Sequence, residues 1–182
     1  TAHASTPNKG ISAINIAAKA VSEMNLGQID EFTTANIGRF EGGSATNIIA
    51  DKVTLKAEAR SHSESSIQAQ VEHMKSVFEE TAQRYDCTAD VEIIKSYPGF
   101  EIANDALVTK VAKSSAVALG LAPEAVIASG GSDGNIINQI GIPTVILGVG
   151  YENIHTTDER MPISSLNLLT EQLIKIVEII SQ

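Results

Sequence analysis

Apolar residues recur along this chain with two different periods. Ile11, Ile14, Ala17, Ala18, Val21 and Met24 fall three or four apart, the spacing of one helix face, and Asn25 and Gly27 follow as stop signals. Phe32 to Phe40 is rich in Thr, is broken at Gly38 and reads as a strand, after which Glu41-Gly42-Gly43 turns the chain. Val53, Leu55, Ala57 and Ala59 then alternate with Thr54, Lys56, Glu58 and Arg60, the period-two pattern of a strand with one covered and one wet face.

Ser63-Glu64 opens the clearest helix, in which Ile67, Val71, Met74, Phe78, Ala82 and Tyr85 form a narrow seam. At only about three heptads the seam reads as core against a sheet rather than as a coiled coil. Asp90 to Lys95 is a last strand, ended by Tyr97-Pro98-Gly99. With residues 1–6 as the end of a first strand, residues 1–100 read β-α-β-β-α-β. That is the ferredoxin-like split βαβ fold, a four-stranded antiparallel sheet with two helices on one face. Its other face and its edges are left open to a partner.

Beyond Phe100 the pattern changes. Asp105 to Leu119 is helical and stopped by Gly120, and Ala125 to Ala128 is a short apolar strand. A helix follows through Ile136, Ile137 and Ile140. Ile142 to Val149 then reads as a strand buried on both faces, and a final helix carries Leu166, Leu169, Leu173, Ile176, Val177 and Ile180. The α-β-α-β-α series of residues 101–182 is an α/β segment. Two parallel strands cannot bury their own faces, so this half is expected to be the tail of a larger sheet, and the chain, opening on Thr1, a fragment of a longer protein.

Composition narrows the partners. The 182 residues are 43% hydrophobic but 4% aromatic, with no Trp, which predicts an aliphatic core. A net charge of -9 without any Lys/Arg cluster argues against nucleic acid and anionic membranes. No run reaches the roughly 18 apolar residues of a membrane span. A single cysteine, Cys87, excludes an internal disulfide framework, suits a reducing cytoplasm and reads as inert filling.

The chemistry-bearing residues are few. His155, with Asp158 and Glu159, sits on the loop leaving the predicted strand of residues 142–149, where open α/β sheets keep their sites. Taken alone, a loop histidine reads as a solvated side chain, Arg60 as a surface charge and His3 as a residue of a frayed end. The loop from Ser129 to Asp133 reads as a plain helix cap, since no Lys follows in P-loop spacing.

Five motifs taken together say more. Ala2-His3-Ala4-Ser5-Thr6-Pro7 leading to Gly10 comes first, then Ala45-Thr46-Asn47 and Glu58-Ala59-Arg60-Ser61. Ser129-Gly130-Gly131-Ser132-Asp133 and Asn153-Ile154-His155-Thr156-Thr157-Asp158-Glu159 follow in that order. The set resembles the lid domain and C-terminal catalytic segment of the two-metal exopeptidase and deacylase family, which includes peptidase T, carboxypeptidase G and the aminoacylases. The peptidase T-like tripeptidases are nearest.

The resemblance implies two zinc ions bridging a water that attacks the scissile amide of a short peptide. It makes His155 the last metal ligand, at about 2.0–2.1 Å, oriented by Glu159 or Asp158. It implies that His3, Asn47 and Arg60 reach the partner subunit's site in a homodimer. There Arg60 would fork a substrate carboxylate, Asn47 would bind that carboxylate or the amide oxygen, and His3 would donate to the oxyanion. The N–H groups around Ser132 would hold an anionic substrate end.

The family's remaining ligands, an N-terminal His-x-Asp motif, a bridging Asp, an adjacent Glu pair and one further acid, have no match here. His62 and His73 lie outside any such pattern. The chain alone is therefore expected to be catalytically silent. An N-acyl amino acid deacylase and a non-catalytic dimerisation module stand as the alternatives.

Overall fold

The computed structural model describes residues 1–128 and 130–182. The chain forms two compact units, Thr1–Ser96 and Tyr97–Gln182.

In the first unit, β1 (Ala2–His3) leads through a single 3-10 turn at Pro7–Lys9 into α1 (Ala13–Glu23). The Oγ of Ser12 accepts the Asn15 N–H at 3.3 Å and caps α1. Helix α2 (Glu64–Arg84) is capped in the same way, by Ser63 accepting from Ser66 at 3.3 Å. Strands β2 (Gly27–Gln28), β3 (Thr34–Gly42) and β5 (Val53–Arg60) form an antiparallel sheet in the order β2-β3-β5. β1 pairs separately with β4 (Ile48–Ile49).

Helices α1 and α2 cover one face of the sheet. Met24, Ala35 and Met74 are buried between them, packed by Leu26, Ile29, Ile37, Ala59, Val77 and Phe78. This is the aliphatic core that the composition predicts. The C-terminal ends of the two helices are tied by an ion pair of Arg84 with Glu23. Just past that end of α1, the first half of α2 reads the backbone. His73 Nε2 accepts the Asn25 N–H at 3.0 Å, and the Gln70 side-chain amide donates to the Asn25 carbonyl at 2.9 Å.

The β3·β5 ladder runs from Thr34↔Arg60 to Gly42↔Val53 with one irregularity. Ile37 faces Ala57 while Arg39 faces Lys56, so Gly38 is an extra, bulged residue. Alternation restarts beyond it. Ala35, Ile37, Phe40 and Gly42 share the helix-covered face with Ala59, Ala57, Leu55 and Val53. Asn36, Arg39 and Glu41 share the open face with Glu58, Lys56 and Thr54. At the turn that follows, Gly43 takes φ +81°, a left-handed conformation that glycine adopts without Cβ strain.

The mixed α/β class and the two-helix lid agree with the sequence reading, but the predicted single four-stranded sheet is replaced by three strands plus a two-stranded ribbon. In a split-βαβ sheet the fourth strand pairs with the first. Here the first is two residues long and is taken by β4, so residues 90–95 have no ladder partner among the described residues. Ile93 and Ile94 lie 53% and 75% exposed, and Lys95 is held instead by Glu64 at 2.8 Å.

In the second unit, α3 (Leu107–Ala118) packs on α5 (Ile163–Ile180). The contact includes the buried Gln172, whose amide donates to the Ala112 carbonyl at 3.2 Å and to Ser115 Oγ at 3.3 Å. The expected strands at residues 125–128 and 142–149 form no ladder with any described residue. Val126 and Ile127 are 79% and 73% exposed, and Ile142 and Ile146 more than half. A strand predicted as buried on both faces needs neighbours on both edges. With none among the described residues, Asn138 of α4 (Asp133–Gln139) satisfies the chain at Thr144, accepting its N–H and donating to its carbonyl, both at 2.9 Å.

Candidate functional site

The ribbon β1·β4 brings two of the expected lid residues together. His3 lies opposite Ile48, and the Ala4 N–H donates to the Asn47 carbonyl at 2.9 Å, which fixes Asn47 beside β1. His3 Nδ1 accepts the Ser5 N–H at 3.1 Å, with Ser5 Oγ at 2.8 Å. With Nδ1 occupied as an acceptor, the proton of the neutral ring sits on Nε2, so the exposed ring edge is a hydrogen-bond donor.

Arg60 ends β5 at the opposite end from the β4 connection, paired across the ladder with Thr34. Its guanidinium is engaged in a two-pronged contact with Glu58 two residues before it, Nε to Oε1 at 3.1 Å and Nη2 to Oε2 at 3.0 Å. The fork that the sequence offered to a substrate carboxylate thus already grips one, on the open face of the sheet. Glu58 is the neighbour of Arg60 to which the sequence reading gave no part. The signal was present, since residues two apart on a strand share a face.

In the second unit, Ser132 is the N-cap of α4. Its Oγ accepts the Gly134 N–H at 3.2 Å, and its own N–H donates to Asn135 Oδ1 at 2.9 Å. That is a capping box, the arrangement expected of the motif read without any family likeness. Gly131, one residue earlier, is required by close packing, since a Cβ there would stand 1.8 Å from the Tyr97 hydroxyl. Ser129, the first residue of the motif, lies outside the described residues.

His155 occupies the crown of a closed loop. Its two ends are joined by the reciprocal backbone bonds of Glu152 and Arg160, at 2.9 and 3.1 Å, and by their side-chain ion pair at 2.5 Å. Within the loop the Glu159 carboxylate accepts the His155 N–H at 2.6 Å, and Thr156 Oγ1 donates to the Asn153 carbonyl at 2.7 Å. Asn153 and His155 take φ values of +54° and +63°, left-handed conformations costly for a residue with a Cβ and retained only where the surroundings impose them. Glu159 grips the backbone of His155 rather than its ring. The sequence had left Asp158 and Glu159 equal in this respect, and it gave no sign of the Glu152–Arg160 clasp.

Among the described residues no three His, Cys, Asp or Glu side chains converge to hold a metal ion. A zinc ion takes about four ligands and two zinc ions more, so the residues of this chain do not by themselves fit a dinuclear centre.

Residues 1–86 match the family model of the peptidase dimerisation domain of the M20 peptidases. A tripeptidase from Staphylococcus aureus is 62% identical with a TM-score of 0.89, the match covering 98% of this chain and 48% of that one. The aminopeptidase PepT of Bacillus cereus is 50% identical with a TM-score of 0.83, over 100% of this chain and 49% of that one. A Bacillus subtilis protein described as a dinuclear metal-binding peptidase of the M20 family shares the fold, with a TM-score of 0.65 at 22% identity, over 93% of this chain and 46% of that one. The first unit thus carries the match to the dimerisation domain of M20 peptidases, and the chain as a whole is similar to a tripeptidase and an aminopeptidase. It spans about half the length of the curated relatives it matches.

Proposed function

We propose that this chain is the lid and C-terminal segment, residues 1–100 and 101–182, of a zinc-dependent exopeptidase acting on short peptides, tripeptidase-like in its substrate. The supporting observation is the 62% identity to a tripeptidase across 98% of the chain, with the five motifs intact. In this reading the lid dimerises, and each lid serves the site of the partner subunit. Arg60 binds the substrate carboxylate in exchange for Glu58, Asn47 supports the same end, and His3 presents its Nε2–H to the developing oxyanion. Ser132 shapes the start of α4 rather than touching substrate.

Of a two-zinc centre the chain offers one ligand, His155. Activation of water therefore falls to the rest of the intact enzyme, and the separate chain is inactive. The bare segments at residues 125–128 and 142–149 are where further strands of the catalytic sheet would pair. The net charge of -9 and the absence, among the described residues, of a helix long and apolar enough to cross a membrane fit this reading, with the cytoplasm as its compartment.

The test is kinetic. In the intact enzyme Arg60→Ala is expected to raise KM for a tripeptide by about tenfold or more, the loss of one charge-assisted contact, while the same substrate amidated at its carboxyl end loses little. Equal losses on both substrates, or faster turnover of N-acyl amino acids than of tripeptides by the wild type, would remove this reading in favour of another.

A further inference from the structure

Arg60 stands where a strand is least able to hold a side chain still. It is the last residue of β5, and among the described residues β5 has a neighbour on one side only, β3. Its ladder partner, Thr34, is the first residue of β3. The end rung of an edge strand opens at a free energy far below that of global unfolding. A guanidinium carried on a frayed rung meets a carboxylate in many poses, of which few are productive.

The pairing does not stop at that rung. Side chains carry the register of Ala35 with Ala59 and Thr34 with Arg60 two positions further. Thr33 Oγ1 and Ser61 Oγ lie 2.8 Å apart, and beyond them the rings of Phe32 and His62 stack with centroids 5.3 Å apart.

Thr33 is 1% exposed, so its hydroxyl has to find its partners inside the protein. The chain of hydroxyls has one direction. The Asp30 carboxylate can only accept, and it does so from the Phe32 N–H at 2.9 Å and from the Thr33 hydroxyl. Thr33 Oγ1 is thereby the acceptor for the Ser61 O–H, and Ser61 Oγ accepts the Ser63 N–H at 3.1 Å. Ser63 is the N-cap of α2, and the Thr33 carbonyl accepts the Ile29 N–H at 2.9 Å. One hydroxyl pair thus joins the turn of residues 29–33, the end of β5 and the start of α2. Satisfied buried networks of this kind fix a single local geometry.

We propose that Ser61 and Thr33 are positioning residues for Arg60. Their hydroxyl pair fixes where the Arg60 backbone stands, while Glu58 sets the plane of the guanidinium, so the fork is aligned before a substrate carboxylate arrives. This rests on the reading of Arg60 given above and extends it to two residues that act through Arg60.

The experiment uses the intact enzyme, a tripeptide and the same tripeptide amidated at its carboxyl end. Ser61→Ala and Thr33→Val each remove the same contact. Each is expected to raise KM for the tripeptide about fivefold, with kcat and the KM of the amide within about twofold of wild type. Ser61→Thr and Thr33→Ser keep the hydroxyls and are expected to stay within about twofold of wild type on both substrates. In an Arg60→Ala background, Ser61→Ala is expected to change KM no further, because both changes act on one contact. Ser61 is only half-buried, so Ser61→Ala carries the test if Thr33→Val does not fold.

Unchanged KM for the tripeptide, equal losses on both substrates, or losses that add to those of Arg60→Ala overturn the inference. The hydroxyl pair then supports the lid as a whole, and the carboxylate reading of Arg60 stands. An Arg60→Ala enzyme that treats the two substrates alike overturns that reading, and this inference with it.

Discussion

At the scale of single residues, three carboxylates in the first unit are held below their ordinary range. The guanidinium of Arg84 does this for Glu23, the ammonium of Lys95 for Glu64, and the Phe32 backbone N–H for Asp30. A carboxyl that binds its proton less readily folded than unfolded stabilises the fold above the ordinary carboxylate range, and that contribution is lost as pH falls through the lower, folded value. The denaturant midpoint of the first unit is therefore expected to fall from about pH 5 downward, and Glu23→Gln is expected to flatten that fall. Identical slopes in the two proteins would show that the Arg84 contact does not contribute. All three groups face solvent, so the effect is screened by salt. Some residue roles were invisible in the sequence for a plain reason. His73 read as an unassigned histidine on a long helix, but the backbone N–H that it accepts belongs to Asn25, 48 positions away.

At the scale of elements, legibility followed periodicity. Helices α1, α2, α3 and α5 were readable because apolar residues recur along each at helical spacing, even in α5, whose one buried residue is Gln172, and Ser63 announced its helix by the cap it makes. Strands β3 and β5 were readable from alternation. The segments at 90–95, 125–128 and 142–149 share the composition of strands, yet pairing depends on a neighbour that composition does not supply. The His155 loop was legible as a position and not as a shape. Its closure is a matter of Glu152 meeting Arg160 across seven intervening residues, where the chain doubles back on itself. Removing that side-chain contact by Arg160→Ala should leave helix content unchanged and speed hydrogen exchange at the Glu152 and Arg160 amides by about threefold to tenfold, as expected of a half-exposed ion pair reinforcing two backbone bonds. Unchanged exchange would assign the closure to the backbone alone.

At the scale of the whole molecule, the two units differ in how far they cover themselves. The first holds Met24, Ala35 and Met74 in a closed core between two helices and a sheet. The second leaves Val126, Ile127, Ile142, Ile146, Leu173 and Ile174 half or more exposed. Apolar surface on that scale marks a face built to be covered. Deuterium uptake is therefore expected to be slowest in α2 and the β3·β5 ladder and fastest at residues 121–128 and 142–149, with the order reversed only if the second unit finds cover in self-association.

The bulge at Gly38 carries a consequence for how this protein tolerates change. It resets the beat of the strand halfway along, so that Ile37 and Phe40, three positions apart, fall on the same side. A chain shortened by that one glycine would alternate without interruption and keep Ile37 and Phe40 on the covered side, Arg39 and Glu41 on the open one. A chain that kept the glycine but held it in the ladder as an ordinary residue would instead turn two charges toward the helices and an aromatic ring toward water. The position tolerates a loss of length better than a loss of the conformational freedom that lets the extra residue step out of line.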